Sequence, residues 1–414
     1  MSAKKPRILI LYADAGFGHR SAALAIDAAF HELYPGKCET NLINPFDDER
    51  APSYLRDLQS DYDRILTVAP DLYKAGYEFS DAGFPVTLVD GILILMLYDV
   101  MDSLVEKYHP DIVVATYPLF QAALDAVFTI KRKSIPIVTV ITDLVSVHRI
   151  WFNPGIDLCL SSTAQVAENA RQAGLPDSKL LVTGIPIHPE ITRRTESRQS
   201  ILRTLGLEPD RFTLLITGSK RLSGMPEGLH GLNHSNLPIQ FILVAGGDEA
   251  LMTVYQATEW HVPVKVFDYV DFMPRLMHAS DVIVCKAGGL IVSEAMACGL
   301  PMLLTNILPG QEAGNADYVV QAGAGEIVND SGQLQETIFH WIKDNRKEYL
   351  IHQRAAIEAG HPQAASDAAQ AIWELVNKKP EERTVTHLVE RTHLIQTLRK
   401  FRRTLLKELS SLKY

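Results

Sequence analysis

The sequence predicts an α/β protein built from two doubly wound parallel-sheet domains in tandem. Three observations predict it. Short β-branched runs such as "RILIL", "DIVVAT", "IVTV", "FTLLIT" and "DVIVC" are apolar at almost every position, as strands covered on both faces must be. Longer stretches with a 3.6-residue apolar repeat separate them, which is the pattern of βαβ units. The alternation also runs through once, stops at a proline-bounded charged stretch over residues 186–210, and starts again. At 414 residues the chain is long for one core, since about 100–200 residues per domain is usual.

The expected first domain, residues 1–188, carries strands at 7–13, 40–44, 111–116, 137–142, 158–161 and 180–183. Helices are expected at 21–34, 119–131 and 164–173, where the apolar period changes from continuous to 3.6. The second domain, residues 189–377, repeats the scheme with strands at 212–217, 239–244, 264–267, 281–285 and 302–305. Two such sheets in tandem are expected to put the C-terminal ends of their strands at a central cleft, where open α/β sheets bind ligands. Residues 378–414 form a tail with ten basic and four acidic side chains.

Composition narrows the function. A net charge of -9 argues against non-specific nucleic-acid binding by the whole body. The four cysteines are scattered, with no C-x-x-C pair, so neither a zinc site nor a disulfide framework is expected and a reducing cytoplasm fits. The most apolar interior segment, residues 84–100, is interrupted by Asp90 and Gly91 and is shorter than the ~20 residues a bilayer span requires.

The stretch "ILILYADAGFGHRSAALAIDAAF" places a glycine loop between a strand and a helix. Gly16 and Gly18 permit close approach, and a helix beginning near Arg20 offers free N–H groups. A dinucleotide fingerprint would need a small third residue where Ser21 stands and an acid after the second strand, for which Asp47 is a loose candidate. No G-x-x-x-x-G-K-[ST] motif is present. His19, at a strand's C-terminal edge and a helix N-terminus, is instead placed as a base with a pKa near neutrality.

The second half is richer. In "SDVIVCKAGGLIVSEAMACGLPMLLTNILPGQEAGNADYVV" a strand ends at Cys285, and Lys286, Gly288 and Gly289 open a helix that could hold a diphosphate on backbone N–H groups and one cation. Glu294 on that helix could accept from a ribose diol. After the next strand Gln311, Glu312 and Asn315 offer amides and a carboxylate to the hydroxyls of a sugar. Together they describe a nucleotide-sugar site.

The pieces "GFGHRSAA", "TVITDLVSVHRIWFNPGIDLCLSS", "VTGIPIHP" and "KAGGLIVSEAMACGLPMLLTNILPGQEAGN" resemble the monogalactosyldiacylglycerol synthases and the related processive diacylglycerol glucosyltransferases, over roughly residues 7–375. The resemblance implies a GT-B fold and an inverting, metal-independent hexosyltransferase needing no cofactor. UDP-galactose or UDP-glucose would be the donor, held by the C-terminal domain, and diacylglycerol the acceptor at the N-terminal one. It implies His19 as general base, Gly288 and Gly289 at the diphosphate, Glu294 at the ribose, Gln311 with Glu312 at the hexose, and the backbone of Tyr269 and Val270 at uracil. Two departures stand out. Phe17 replaces a common glycine, and the loop after the first C-terminal strand, usually glycine-rich, offers Gly218, Ser219 and later Gly224.

A diacylglycerol acceptor stays in the bilayer, so peripheral contact of a cytoplasmic enzyme with an anionic membrane is expected. Residues 84–100 suit either shallow insertion or a buried core helix. The tail places Leu394, Leu398, Phe401, Leu405 and Leu409 at helical spacing beside Arg399, Lys400, Arg402, Arg403 and Lys407, which suits either a lipid surface or an assembly helix. "DYD" at 61–63 has the form of a metal-binding motif but lies in a charge-rich helical stretch, so a solvated face is expected. A UDP-sugar epimerase, a transferase with a non-lipid acceptor and a nucleotide-binding regulatory module remain as alternatives.

Overall fold

The computed structural model describes residues 5–52, 56, 86–218, 225–308 and 311–378. They form two units. The first contains the chain up to Thr142, Val147–His188 and the chain from Ala364 onward; the second contains Asp143–Ser146 and Pro189–Gln363. Ser219, the "DYD" motif and the basic tail lie outside the described residues.

The first unit runs β1 (Arg7–Leu11), α1 (Phe17–Leu33), β2 (Glu39–Ile43), α2 (Val86–Tyr108), β3 (Ile112–Ala115), α3 (Gln121–Lys131), β4 (Ile137–Val140), β5 (Leu158–Ser161), α4 (Ala164–Gln172) and β6 (Leu180–Val182). Its sheet is parallel, in the order β2-β1-β3-β4-β5-β6. The continuous apolar runs serve both faces. Leu9, Leu11, Val113 and Ala115 pack with α2, α3 and α4, whereas Ile8, Ile10, Ile112 and Val114 pack on the opposite side with α1. Residues alternate in this way because successive strand side chains point to opposite faces.

The second unit runs α5 (Arg198–Thr204), β7 (Phe212–Thr217), α6 (Met225–Asn233), β8 (Ile239–Val244), α7 (Glu249–Ala257), β9 (Val264–Phe267), α8 (Met273–Ala279), β10 (Val282–Cys285), α9 (Gly289–Ala297), β11 (Met302–Leu304), α10 (Gln311–Gln321), β12 (Gly325–Ile327) and α11 (Ser331–Ala359). All its strands are parallel, in the order β12-β11-β10-β7-β8-β9.

One device recurs at the N-terminal edge of both sheets. An aspartate just before a strand accepts a hydrogen bond from an N–H at the start of the neighbouring strand: Asp111 from Arg7 at 2.8 Å, Asp157 from Ile137 at 2.8 Å, and Asp281 from Thr213, the second residue of β7, at 2.7 Å. Charge-assisted bonds of this kind satisfy a backbone donor that the ladder leaves over. Asp281 is also bonded by Arg198 at 2.6 Å.

The structure corrects the sequence reading in three places. The final helix α12 (Ala364–Val376), assigned above to the second domain, belongs with the first unit. Ala365, Ala368, Ala369 and Ile372 join the core beneath α1, and Trp373 stacks on Tyr34 with ring centroids 4.4 Å apart. Second, β12 was missed, being only three residues long. Third, several strands stop one or two residues short of the runs expected, β1 at Leu11, β4 at Val140 and β11 at Leu304. From Asp90 onward α2 is a core helix, with Leu93, Leu97, Tyr98, Met101 and Val105 buried and Ile92 exposed. Among the described residues no helix is long and apolar enough to cross a membrane.

Candidate functional site

Parallel topology fixes where chemistry can sit in each unit. In the first sheet the chain passes from β1 to β2 on one side and then returns to the other side of β1 with β3. In the second it passes from β7 outward to β8 and β9, then returns to β10 on the other side of β7. Ligands bind at such reversals, outside the carboxyl ends of the strands.

At the β1–β3 reversal stands His19. Gly16, with φ 74°, makes the turn from β1 into α1, a conformation that a side chain would strain. The helix therefore starts at Phe17, earlier than the sequence suggests, and its first turn carries the histidine. His19 Nδ1 lies 2.8 Å from the carbonyl oxygen of Thr116 and 2.9 Å from the hydroxyl of Thr142. A carbonyl oxygen cannot donate, so the first contact assigns the proton to Nδ1 and leaves Nε2 with a lone pair. Tyr117 meets the ring edge-on at 4.9 Å and Trp151 lies at 6.1 Å. Burial in these surroundings lowers the imidazole to about pKa 4, against which the Thr116 bond works in the opposite direction. The ring is neutral at pH 7. Gly18 is free of any such backbone demand: a Cβ there would meet none of the described residues within 4 Å.

At the β7–β10 reversal the site is a turn and a helix N-terminus. Gly288 caps α9 with ordinary extended φ/ψ, and no side chain caps that end. A Cβ on Gly288 would make only ordinary contacts, at 3.7 Å with Ile291 and 3.9 Å with Lys286 Cε. The fold thus does not require glycine at 288, whereas a ligand resting on the backbone N–H groups would. The same contact places the Lys286 stem beside the helix end. Gly289 is the first residue of α9. Gly218 is glycine for another reason: a Cβ would lie 2.3 Å from Leu251 Cδ2 and 2.9 Å from the carbonyl oxygen of Val244. It lets the loop after β8 approach, where Gly246 N–H donates to the Asp268 carbonyl at 2.7 Å.

Glu294 lies in the second turn of α9, and burial pushes its carboxyl up to about 7. It is near enough to Cys298 to raise that thiol further, after burial itself. Glu312, in the first turn of α10, accepts from the Leu308 N–H at 3.1 Å, and Gln311 begins that helix. Tyr269, exposed, and Val270, buried, follow β9 at the same edge of the sheet.

Asn315 has a different place from the one its sequence position suggests. It is buried; its Nδ2 donates to the Ala287 carbonyl at 3.0 Å and its Oδ1 accepts from the Leu144 N–H at 3.2 Å. Its amide supports the Lys286–Gly288 turn from behind. Gly314, next to it, leaves room for Ser146, whose Oγ would lie 2.5 Å from a Cβ at that position. Thr116 and Thr142 were missed by sequence reading, since a threonine ending a strand carries no distinguishing pattern.

Residues 19–187 match the family described as monogalactosyldiacylglycerol (MGDG) synthase, and residues 220–372 match the glycosyltransferase family 28 C-terminal domain. A probable monogalactosyldiacylglycerol synthase 2, chloroplastic, of Oryza sativa subsp. japonica is 28% identical over 399 residues, covering 94% of this chain and 84% of that protein. Monogalactosyldiacylglycerol synthase 3, chloroplastic, of Arabidopsis thaliana is 29% identical over 381 residues, covering 89% and 81%. Among solved structures, MurG of Acinetobacter baumannii has a TM-score of 0.59 at 16% identity, covering 89% of this chain and 100% of that one. The calicheamicin glycosyltransferase CalG4 has a TM-score of 0.57 at 14% identity, covering 91% and 100%. The two parallel six-stranded sheets are those of the GT-B fold, and the chain is similar to the monogalactosyldiacylglycerol synthases over residues 19–187 and to the C-terminal domain of glycosyltransferase family 28 over residues 220–372.

Proposed function

We propose that the protein transfers a hexose from a UDP-sugar to the hydroxyl of diacylglycerol in one inverting displacement. The supporting observation is a division of labour: a neutral imidazole with Nε2 as lone pair at the β1–β3 reversal, and an uncapped, glycine-opened helix end with a lysine stem beside it at the β7–β10 reversal. His19 Nε2 takes the proton of the acceptor hydroxyl as its oxygen bonds to the anomeric carbon. The bond from that carbon to the diphosphate breaks, and UDP leaves with the electron pair. General-base assistance of this kind is worth roughly 10²- to 10⁴-fold. Charge developing on the diphosphate is met by the α9 N-terminus and Lys286, and Glu294 accepts from the ribose. The hexose is assigned to the start of α10, where Gln311 and Glu312 stand.

Diacylglycerol as acceptor is supported by the relatives, which are named for it, and galactose is the hexose in those names. The transfer is proposed to proceed without a metal ion. The basic tail, on its sequence, is proposed to bring the enzyme to anionic lipid.

The deciding experiment incubates the protein with UDP-galactose or UDP-glucose, with and without diacylglycerol vesicles, in EDTA. Lipid-dependent release of UDP with a β-glycosyl lipid product supports the proposal. Turnover of the donor without lipid, or a strict metal requirement, overturns it. Removing residues 391–414 should lower activity on anionic vesicles but spare activity on a detergent-dispersed acceptor.

A further inference from the structure

Every hydrogen bond described for the imidazole of His19 falls on one nitrogen. Nδ1 faces two oxygens, the Thr116 carbonyl at 2.8 Å and the Thr142 hydroxyl at 2.9 Å. The two partners differ chemically. The carbonyl can only accept, while the hydroxyl can donate or accept. In the tautomer with the proton on Nε2, Thr142 could donate to Nδ1, but the Thr116 oxygen would then press a lone pair against another at hydrogen-bond distance. With the proton on Nδ1 both oxygens accept from it, as a three-centre bond.

We propose that Thr142 is a positioning residue for the transfer reaction, its hydroxyl serving as second acceptor for the Nδ1–H of His19 and stabilising the imidazolium that forms when Nε2 takes the acceptor's proton. This rests on the proposed role of His19 as base. Thr142, two residues beyond β4, is buried, so water does not substitute readily for its oxygen. Of the described ring contacts, Tyr117 and Trp151 are uncharged, and Asp143, next to Thr142 in the chain, carries a carboxyl that burial pushes up to about 7. The charged side chains on the same turn, Asp14 and Arg20, pair with each other at 3.6 Å at the surface. The hydrogen bonds described for the ring therefore come from neutral oxygens, with no carboxylate among them, and the loss of one acceptor weighs more than it would beside an ionised partner. Burial already disfavours the charged ring, which sharpens the dependence.

The experiment uses the full chain labelled with ¹⁵N-histidine, the His19 signals being assigned by their loss in His19→Gln. At pH 7.5 the ring should show a protonated Nδ1 and an unprotonated Nε2. Thr142→Val should lower kcat about tenfold with the donor KM within about twofold, and should move the acid limb of kcat/KM about one unit lower, because the imidazolium has lost an acceptor. Thr142→Ser should restore both, and Thr142→Ala replaces the valine variant if valine disturbs folding. A wild-type ring protonated on Nε2 would overturn the proposal. So would an unmoved acid limb in the valine variant, or a serine variant as impaired as valine. If His19→Gln keeps wild-type activity, it is the base assignment that falls; if His19→Gln is inactive and Thr142→Val is normal, only the role of Thr142 falls.

Discussion

Thr116 and His19 hold each other at two points: the histidine's Nδ1 lies 2.8 Å from the threonine's carbonyl oxygen, and the threonine's hydroxyl donates to the histidine's carbonyl at 2.9 Å. The end of β3 is thereby fastened to the first turn of α1 across the point where the sheet order reverses. A ring oriented by backbone in this way needs no carboxylate to set its tautomer, and its Nε2 is kept for chemistry.

His19→Gln should therefore lower kcat by at least ~10²-fold while UDP affinity, measured by titration calorimetry, stays within about twofold. The glutamine keeps polarity but cannot take a proton near neutral pH. A parallel loss of UDP affinity would show that His19 binds the donor rather than activating the acceptor.

Asn315 offers a test of the opposite kind, since its amide is spent within the protein. Asn315→Ala leaves a buried carbonyl at Ala287 and a buried N–H at Leu144 without their partner, which costs about 1–3 kcal/mol for an unsatisfied group. Asn315→Asp should be worse, because it sets a carboxylate oxygen against the Ala287 carbonyl. Urea unfolding gives the stability and UDP binding reports the Lys286–Gly288 turn. An aspartate variant as stable as wild type would refute the hydrogen-bond assignment.

The parallel sheets were legible because burial on both faces leaves a chemical trace in each strand: Ile8, Leu9, Ile10 and Leu11, and likewise Ile112, Val113, Val114 and Ala115, are all apolar and all buried. The turn from β10 into α9 was legible too, as glycines directly after a buried strand mark a passage from strand to helix. The destination of α12 was not. "AASDAAQAIWEL" is amphipathic and fits any apolar floor, and its partner is chosen by the stacking of Trp373 on Tyr34, more than 300 residues earlier in the chain. Neither was the loss of Asn315 to structural work, because both of its partners are backbone groups that sequence does not single out. Thr116 and Thr142 escaped for a related reason: only folding reveals that two strand ends converge on one nitrogen.

Glycines 288 and 218 should respond differently to one added methyl group. At 288 the backbone is unstrained and the nearest atoms stand 3.7 Å from a Cβ, so Gly288→Ala should cost at most about 1 kcal/mol of stability as a poorer helix cap. If the diphosphate rests on that helix end, UDP affinity should nonetheless fall at least tenfold. At 218 the Cβ would overlap Leu251 and the Val244 carbonyl, so Gly218→Ala should destabilise the protein directly. Thermal melts and UDP titrations of both variants separate the cases. An alanine at 288 that binds UDP normally would move the diphosphate elsewhere.

Glu294 should reveal itself through pH. Burial raises its carboxyl from 4.5 to about 7, so in the free protein the ionised form carries a cost that grows as pH rises from 4.5 to 7 and is constant above. Glu294→Gln removes that cost: the variant should match wild type in stability near pH 4 and exceed it increasingly up to pH 7. Donor binding should show the converse. A carboxylate that accepts from the ribose hydroxyls binds best when ionised, so wild-type affinity for UDP should fall as pH drops below 7, with proton release accompanying binding. Glu294→Gln should bind more weakly at pH 8, by about 1.5–3 kcal/mol, the scale of hydrogen bonds to a charged group, and should lose that part of the pH dependence. Melting temperatures and UDP titrations between pH 5 and 8 measure both trends. A variant that gains stability with rising pH yet binds UDP as wild type does would leave Glu294 a buried acid without a ribose partner.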